Sequence, residues 1–158
     1  MTRLLLPVVL ILYALATQKV FALDGLVTNV HDGDSLTVAG QAKNIRVRYI
    51  DAPELKAFKW DYQPYAAEAR TALLNLCGGK VATLTNITQD KYNRLDANVN
   101  CQGYDVAKWQ IDNGFAWNYK YAPKRFRVLA LNAKAKKIGI WALPNPINPI
   151  DWRKGVTK

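Results

Sequence analysis

A short strand with an abrupt end is encoded by residues 45–54, which read IRVRYIDAPE. Because successive side chains of an extended chain point to opposite faces, most of its apolar residues would share one face and its arginines the other. Pro53 ends the strand, since proline lacks the N–H group that a sheet ladder requires. We therefore predict a strand over residues 44–50 that runs into a loop with two acidic side chains.

The sequence around this stretch alternates between strand-like and helix-like segments. Short runs of β-branched and apolar residues between turn signals predict strands over residues 26–30, 35–38, 81–87 and 95–99. Apolar residues at helical spacing predict helices over residues 65–76, 105–113 and 125–137, followed by an irregular but packed tail. Strands that come first, with helices interleaved late, favour a small α+β fold built on a curled antiparallel sheet.

Composition and charge narrow the class of protein. The chain has 158 residues, and its 22 Lys and Arg outnumber its 12 Asp and Glu to give a formal charge of +10. Half of the residues are hydrophobic, which fits one globular domain and excludes a disordered tail. One histidine and two cysteines cannot build a multi-histidine or an all-cysteine zinc site.

The N-terminal residues 1–22 have the organisation of a secretory signal. Arg3 is followed by an apolar run over residues 4–16, and Val20 and Ala22 supply small residues at the usual cleavage positions. We predict cleavage after Ala22, which leaves residues 23–158 as one domain that is secreted or periplasmic in a bacterium. The alternative is an uncleaved membrane anchor, but the run is shorter than the roughly 20 residues that span a bilayer. No stable membrane association is therefore expected after cleavage.

Export changes the interpretation of Cys77 and Cys101. In an oxidising compartment the two thiols can form a disulfide. We favour a bridge between Cys77 and Cys101, and the alternative is a pair of buried free thiols.

Acidic residues are concentrated in one part of the chain. Four of the 12 fall between positions 32 and 54, namely Asp32, Asp34, Asp51 and Glu54. Carboxylates held close together repel one another unless a cation neutralises them, and oxygen ligands on short turns suit a hard ion such as Ca²⁺. The alternative is ordinary turn chemistry, because Asp-Gly-Asp also occurs in hairpins that bind no metal.

Three segments together resemble the active-site blocks of staphylococcal nuclease and its thermonuclease-like relatives. They are HDGDS (residues 31–35), IRVRYIDAPE (residues 45–54) and DKYNR (residues 90–94). Shorter matches follow at residues 103–106, 114–117 and 139–141, so that the resemblance covers essentially the whole chain after the signal. Each segment alone is a weak signal, whereas the ordered set is a strong one.

This resemblance implies a fold, an activity and a set of site residues. The fold would be an OB-type five-stranded antiparallel β-barrel with three α-helices. The activity would be Ca²⁺-dependent hydrolysis of DNA and RNA, leaving 3′-phosphate ends. The implied roles are metal binding by Asp34, Asp51 and the Ala52 carbonyl, catalysis by Arg46, Glu54 and Arg94, and nucleotide binding by Tyr119 and Tyr121.

The implied roles set one geometric condition. Strict alternation along the predicted strand places Arg46 and Asp51 on opposite faces, although both must face one cleft. A twist or bulge near Ile50 would bring them together.

The positive charge of the last quarter of the chain indicates an anionic partner. Residues 120–158 hold ten Lys or Arg and a single acid, Asp151, and aromatic residues precede them. Basic groups beside stacking aromatics favour single-stranded nucleic acid, bound by a monomer with little base preference. Two alternatives are a non-catalytic module that binds nucleic acid or protein on the same barrel, and a basic helix that binds membrane surfaces.

Overall fold

The computed structural model describes residues 21–55 and 62–156. The strands in these ranges are β1 (Ala22–Val30), β2 (Ser35–Val38), β3 (Ile45–Val47), β4 (Ile50–Asp51), β5 (Val81–Gln89), β6 (Leu95–Cys101), β7 (Tyr104–Asp105) and β8 (Trp117–Asn118). The helices are α1 (Ala66–Cys77), α2 (Val106–Asp112), α3 (Lys124–Ala135) and the short α4 (Pro149–Trp152), with a 3₁₀ turn at Gly139–Ala142. The tail that was expected to be irregular thus contains two short helical turns.

Five of the strands close into a barrel. Their order is β3-β2-β1-β5-β6, and β3 also pairs with β6, so the first and last strands of the series meet. The closing pair is parallel, with Ile45 opposite Leu95, whereas the other four pairings are antiparallel. Residues such as Leu36, Ile45 and Leu84 are fully buried inside. The α+β fold with a five-stranded OB-type barrel is confirmed.

The strand expected over residues 44–50 is interrupted. β3 ends at Val47, and Tyr49 has a φ of 74°, a left-handed conformation that no regular strand contains. After this turn, β4 leaves the barrel and pairs with β8. Alternation therefore fails between Arg46 and Asp51, and the bend expected near Ile50 lies one residue earlier, at Tyr49.

A disulfide joins a helix to the barrel. Cys77 at the end of α1 is bonded to Cys101 at the end of β6, 24 residues further along the chain. The bridge is thus present and the free-thiol alternative is wrong. By the chain-entropy model, a loop of this length adds roughly 3–4 kcal/mol of stability.

The predicted signal segment lies almost wholly outside the described residues, of which only Phe21 and Ala22 belong to it. Within the described ranges, no helix has the length and apolar character that crossing a membrane requires.

Candidate active site

The turn between β1 and β2 aims Asp34 into the protein. The Asp32 carboxylate accepts hydrogen bonds from the Asp34 backbone N–H (3.0 Å) and the Ser35 hydroxyl (2.7 Å), which fixes the turn. A Cβ at Gly33 would lie 2.7 Å from the Cβ atoms of both Ala52 and Ala69, so glycine is needed for the turn to pack this closely. Asp34 is consequently held with only 3% of its surface exposed.

A buried glutamine of α2 supports the same turn. Gln110 is fully buried, and its Nε2 donates to the carbonyl oxygen of Gly33 at 2.6 Å and to that of Ala69 at 3.2 Å. The aspartate turn is therefore tied to both α1 and α2, which limits how far Asp34 can move.

Arg46 lies between two buried aspartates. Its Nη1 donates to Asp34 Oδ1 and its Nη2 to Asp51 Oδ1, each at 2.8 Å. Nη2 also donates to the Ile50 carbonyl oxygen at 3.1 Å. The side chains of Asp34 and Asp51 are 5% and 2% exposed, against 18% for Arg46. We call these three residues, Asp34, Arg46 and Asp51, the floor cluster.

The surroundings of Asp34 shift its pKa. Burial raises the pKa of Asp34 well above its ordinary value, and the nearby carboxylates of Asp32 and Asp51 add to this rise. The Arg46 guanidinium and the Ala52 backbone N–H, which donates to Asp34 Oδ2 at 2.8 Å, oppose it. Asp34 is thus buried beside a guanidinium that it shares with Asp51, so its negative charge is incompletely balanced.

The donors at this point suit a hard divalent ion shared with a ligand. Among residues 21–55 and 62–156, no group of three or more His, Cys, Asp or Glu side chains converges as a metal site. Two carboxylates and one carbonyl are too few to enclose an ion, but they suit an ion that completes its shell with water and phosphate oxygens. The oxygen-only donor set and the charge imbalance at Asp34 are consistent with Asp34, Asp51 and the Ala52 carbonyl as its ligands.

Glu54 is held by a residue that the sequence did not suggest. Arg153, which follows α4, donates through Nη1 to Glu54 Oε1 and to Asp51 Oδ1 (3.2 Å), and through Nη2 to Asp51 Oδ2 (2.8 Å). Burial raises the pKa of Glu54, while the hydrogen bond and the charge of Arg153 oppose the rise. In the sequence, Arg153 was only one of many basic residues in the tail, with nothing to place it beside two acids some hundred positions earlier.

Arg94 and the two tyrosines lie at the edge of the same space. Arg94 donates through Nε to Asp90 Oδ2 at 2.8 Å, its Nη2 lies 2.8 Å from the same oxygen in an ion pair, and its side chain is 37% exposed. The rings of Tyr119 and Tyr121 meet edge to face with centroids 5.6 Å apart. We call Asp90, Arg94, Tyr119 and Tyr121 the rim.

The residues implied by the resemblance surround a single cavity of about 1020 Å³. Its wall includes Asp34, Arg46, Ala52, Glu54, Arg94, Tyr119, Tyr121 and Arg153. Asp51 lies directly behind this wall, bonded to Arg46 and Arg153. Carboxylates, guanidiniums and aromatic rings thus converge on a space large enough for a nucleotide.

The chain is similar to proteins of plants and bacteria. Residues 44–143 match the model of a family described as staphylococcal nuclease homologue. A probable staphylococcal-like nuclease of Oryza sativa subsp. japonica is 37% identical over 119 residues, which are 74% of this chain and 31% of the plant protein. A staphylococcal-like nuclease of Arabidopsis thaliana is 35% identical over 117 residues, 72% of this chain and 34% of the relative.

A bacterial relative is matched over most of its length. An uncharacterized endonuclease of Escherichia coli is 32% identical over 134 residues, which are 82% of this chain and 84% of that protein. The chain therefore spans about a third of the plant relatives and nearly all of the bacterial one.

Proposed function

Because the chain belongs to the staphylococcal nuclease homologue family, we propose that it is a Ca²⁺-dependent nuclease that hydrolyses phosphodiester bonds of DNA and RNA. The observation that carries the proposal is the single cavity that Asp34, Arg46, Glu54 and Arg94 line, with Asp51 bonded to Arg46 directly behind it. A phosphodiester is an anion that resists attack by water unless its charge is neutralised and the water is oriented.

Two guanidiniums are available to the phosphate. Arg46 uses three of its N–H groups on Asp34, Ile50 and Asp51, which leaves two of the five that a guanidinium carries. Arg94 has both Nη1 hydrogens left among the bonds of the described residues. Both arginines can therefore donate to phosphate oxygens and stabilise the charge that develops on them.

Glu54 is the group that accepts the proton. Among the described residues, its Oε1 takes the Arg153 hydrogen bond and its Oε2 accepts none. In the proposed step, a water oxygen bonds to phosphorus while Glu54 takes its proton. The P–O5′ bond breaks, and the 5′ oxygen leaves with a proton from solvent, which gives a 3′-phosphate end. A Ca²⁺ ion held by Asp34, Asp51 and Ala52 would supply charge neutralisation at the phosphate.

Nucleic-acid cleavage by the Glu54→Gln variant tests whether Glu54 accepts the proton. We expect turnover to fall about 10²–10³-fold or more, because the amide cannot accept the proton, while circular dichroism and Tm stay near those of the wild type. The assay is nicking of plasmid DNA, and cutting of single-stranded DNA and RNA, with Ca²⁺, with Mg²⁺ and with a chelator. Near-normal activity of the variant would remove Glu54 from the mechanism, and a wild type that binds DNA without cutting it would favour the non-catalytic module.

A basic groove extends the proposed substrate path beyond the cavity. A second hollow of about 350 Å³ is lined by Asn118, Lys120, Arg127, Ala130, Leu131, Lys134 and Trp141, and Lys120 also lines the main cavity. Residues 113–150 contain seven Lys or Arg and no acid. In the second hollow, basic side chains lie beside the apolar Ala130, Leu131 and Trp141. Positive charge that continues from the cavity next to apolar and aromatic groups favours a flexible single strand as the preferred substrate.

The double variant Arg127→Ala, Lys134→Ala tests the groove. The variant should bind a long single strand more weakly. The slope of log affinity against log salt concentration should become shallower by about 0.7 for each lost phosphate contact. Cleavage of a dinucleotide should be unchanged, because it does not reach the groove. Lys108→Ala is the matched control, since Lys108 is an exposed cation of α2 that lines neither hollow. An unchanged slope in the double variant would contradict the groove.

Export completes the proposal. Cleavage after Ala22 would remove a single residue of β1 and leave the pairing of Leu23 with Leu84 in place, and the disulfide is suited to an oxidising compartment. N-terminal sequencing of the protein from the medium or periplasm should begin at Leu23, whereas an intact Met1 would contradict cleavage. We expect a monomer by light scattering.

A further inference from the structure

Arg153 stands at the cavity because a buried glutamine fastens the tail to the loop of Glu54. Gln63 is 2% exposed, and its Nε2 donates to the Ile147 carbonyl oxygen at 2.6 Å. On the other side, the Glu54 N–H donates to Gln63 Oε1, and the Gln63 N–H donates to the Glu54 carbonyl oxygen, each at 3.0 Å. The segment that carries Arg153 is thus positioned by the same side chain that positions Glu54.

The beginning of α4 is fixed as well. The Asn148 side chain accepts from the Ile150 N–H at 2.9 Å, and Pro149 is buried at the first position of the helix. Both attachments lie within a few residues of Arg153, so its guanidinium meets the acids from a defined direction.

The ion pair between Arg153 and Asp51 is asymmetric. The Asp51 side chain is 2% exposed and is also bound by Arg46, whereas the Arg153 side chain is 44% exposed. The Asp51 side chain therefore cannot move with Arg153 when the arginine changes position. Arg153 can turn into the cavity, because water can solvate it there.

Arg153 and a divalent ion require the same lone pairs. A carboxylate offers about four acceptor positions on its two oxygens. On Asp51, Arg46 uses one position of Oδ1, and Arg153 uses the other together with one on Oδ2. Only one position is left for an ion.

We propose that Arg153 is the resident cation of Asp51 and Glu54, and that a divalent ion binds in competition with it. The inference rests on the proposed metal ligands. It adds that the tail sets the affinity of the site for the ion. Metal loading then releases the Arg153 guanidinium from Asp51 into the cavity.

The variant Arg153→Gln tests the competition by calorimetric titration of the protein with Ca²⁺, without nucleic acid. We expect the Ca²⁺ Kd to tighten about tenfold, because the bidentate competitor is gone. Arg153→Lys keeps the charge and loses the planar fork, so its Kd should lie between those of the wild type and the glutamine variant. A Kd that is unchanged or weaker in Arg153→Gln would overturn the proposal.

Lys154→Ala is the matched control. It removes the same charge from the next residue, whose Nζ lies 3.3 Å from Asp151 and whose side chain is 67% exposed. A general effect of net charge would tighten Ca²⁺ binding equally in both variants and would overturn the role of Arg153. Tm in chelator should fall for Arg153→Gln, and its rise on addition of Ca²⁺ should exceed that of the wild type.

A measurement on the wild type tests the same competition even if the Arg153→Gln variant fails to fold. The side-chain Nε–H signal of Arg153 in ¹⁵N-arginine-labelled wild type should shift when Ca²⁺ is added. A signal that does not move while Ca²⁺ binds, or a wild type that binds no Ca²⁺, would overturn the inference. Nuclease activity is assayed separately with each metal, so a failed competition is distinguished from a failed nuclease assignment.

Discussion

On the floor of the cavity the charged groups are buried and bound to one another, whereas on the rim they are partly exposed and carried by one turn. Asp34 and Asp51 share Arg46 at 2.8 Å on either side. Arg94 instead pairs with Asp90 of its own turn, four residues earlier. The floor is therefore built by the barrel and contributes to its stability, while the rim can rearrange around a ligand at little cost to the fold.

The largest effect is expected from Arg46→Ala. Removal of the guanidinium leaves the buried Asp34 carboxylate without its ion-pair partner, whereas Asp51 keeps Arg153, and breaking such a buried pair costs about 3–5 kcal/mol. Urea unfolding monitored by tryptophan fluorescence should show this loss, and cleavage should be abolished. A variant as stable as the wild type would mean that the floor cluster does not support the barrel.

Arg94→Ala should separate catalysis from stability. Its partly exposed pair with Asp90, four residues earlier in the same turn, contributes about 1 kcal/mol or less, so the unfolding midpoint should hardly move. Loss of a donor to the developing phosphate charge should nevertheless lower kcat about 10²–10³-fold. Equal losses of stability in Arg94→Ala and Arg46→Ala would contradict the statement that the floor cluster stabilises the barrel more than the rim does.

The smallest effect is expected at Asp90. Although partial desolvation opposes them, hydrogen bonds from the Arg94 backbone and side chain and from the Tyr92 N–H lower the pKa of Asp90. The carboxylate therefore stabilises the turn above the ordinary aspartate pKa, and this contribution is lost as the pH falls through the lowered one.

Amide NMR shifts of Tyr92 and Arg94 measure this titration. In the wild type they should titrate below the usual aspartate range, and in Asp90→Asn that transition should be absent. A transition at the ordinary aspartate pKa would show that the rim turn is not held by this carboxylate.

The barrel could be predicted from sequence because its signals are local. Alternation, turn residues and glycines mark each strand, and Asp105 caps α2 by accepting from the Lys108 N–H, as its position suggested. A bend near Ile50 is expected only because the implied roles require Arg46 and Asp51 to face one cleft. Its position at Tyr49 has no local signal, since a left-handed tyrosine has no propensity signal.

The site was predictable only as far as its residues lie in contiguous motifs. Asp34, Arg46 and Glu54 come from two short segments with recognisable spacing. Gln63 and Arg153 act through contacts with distant residues, and a single glutamine or arginine carries no local pattern that indicates such a partner.

The separation of Asp51 from Arg153 has a consequence for how the protein folds. The two residues lie 102 positions apart, whereas β5 and β6 are neighbours in sequence and can pair as a hairpin. Since contacts between distant residues carry the largest loop-closure cost, docking of the tail should be among the late events of refolding. If the chain binds Ca²⁺ as proposed, an ion present before that event would reach Asp51 while it is not yet paired with Arg153. The order of ion binding and tail docking would then depend on the Ca²⁺ concentration during refolding.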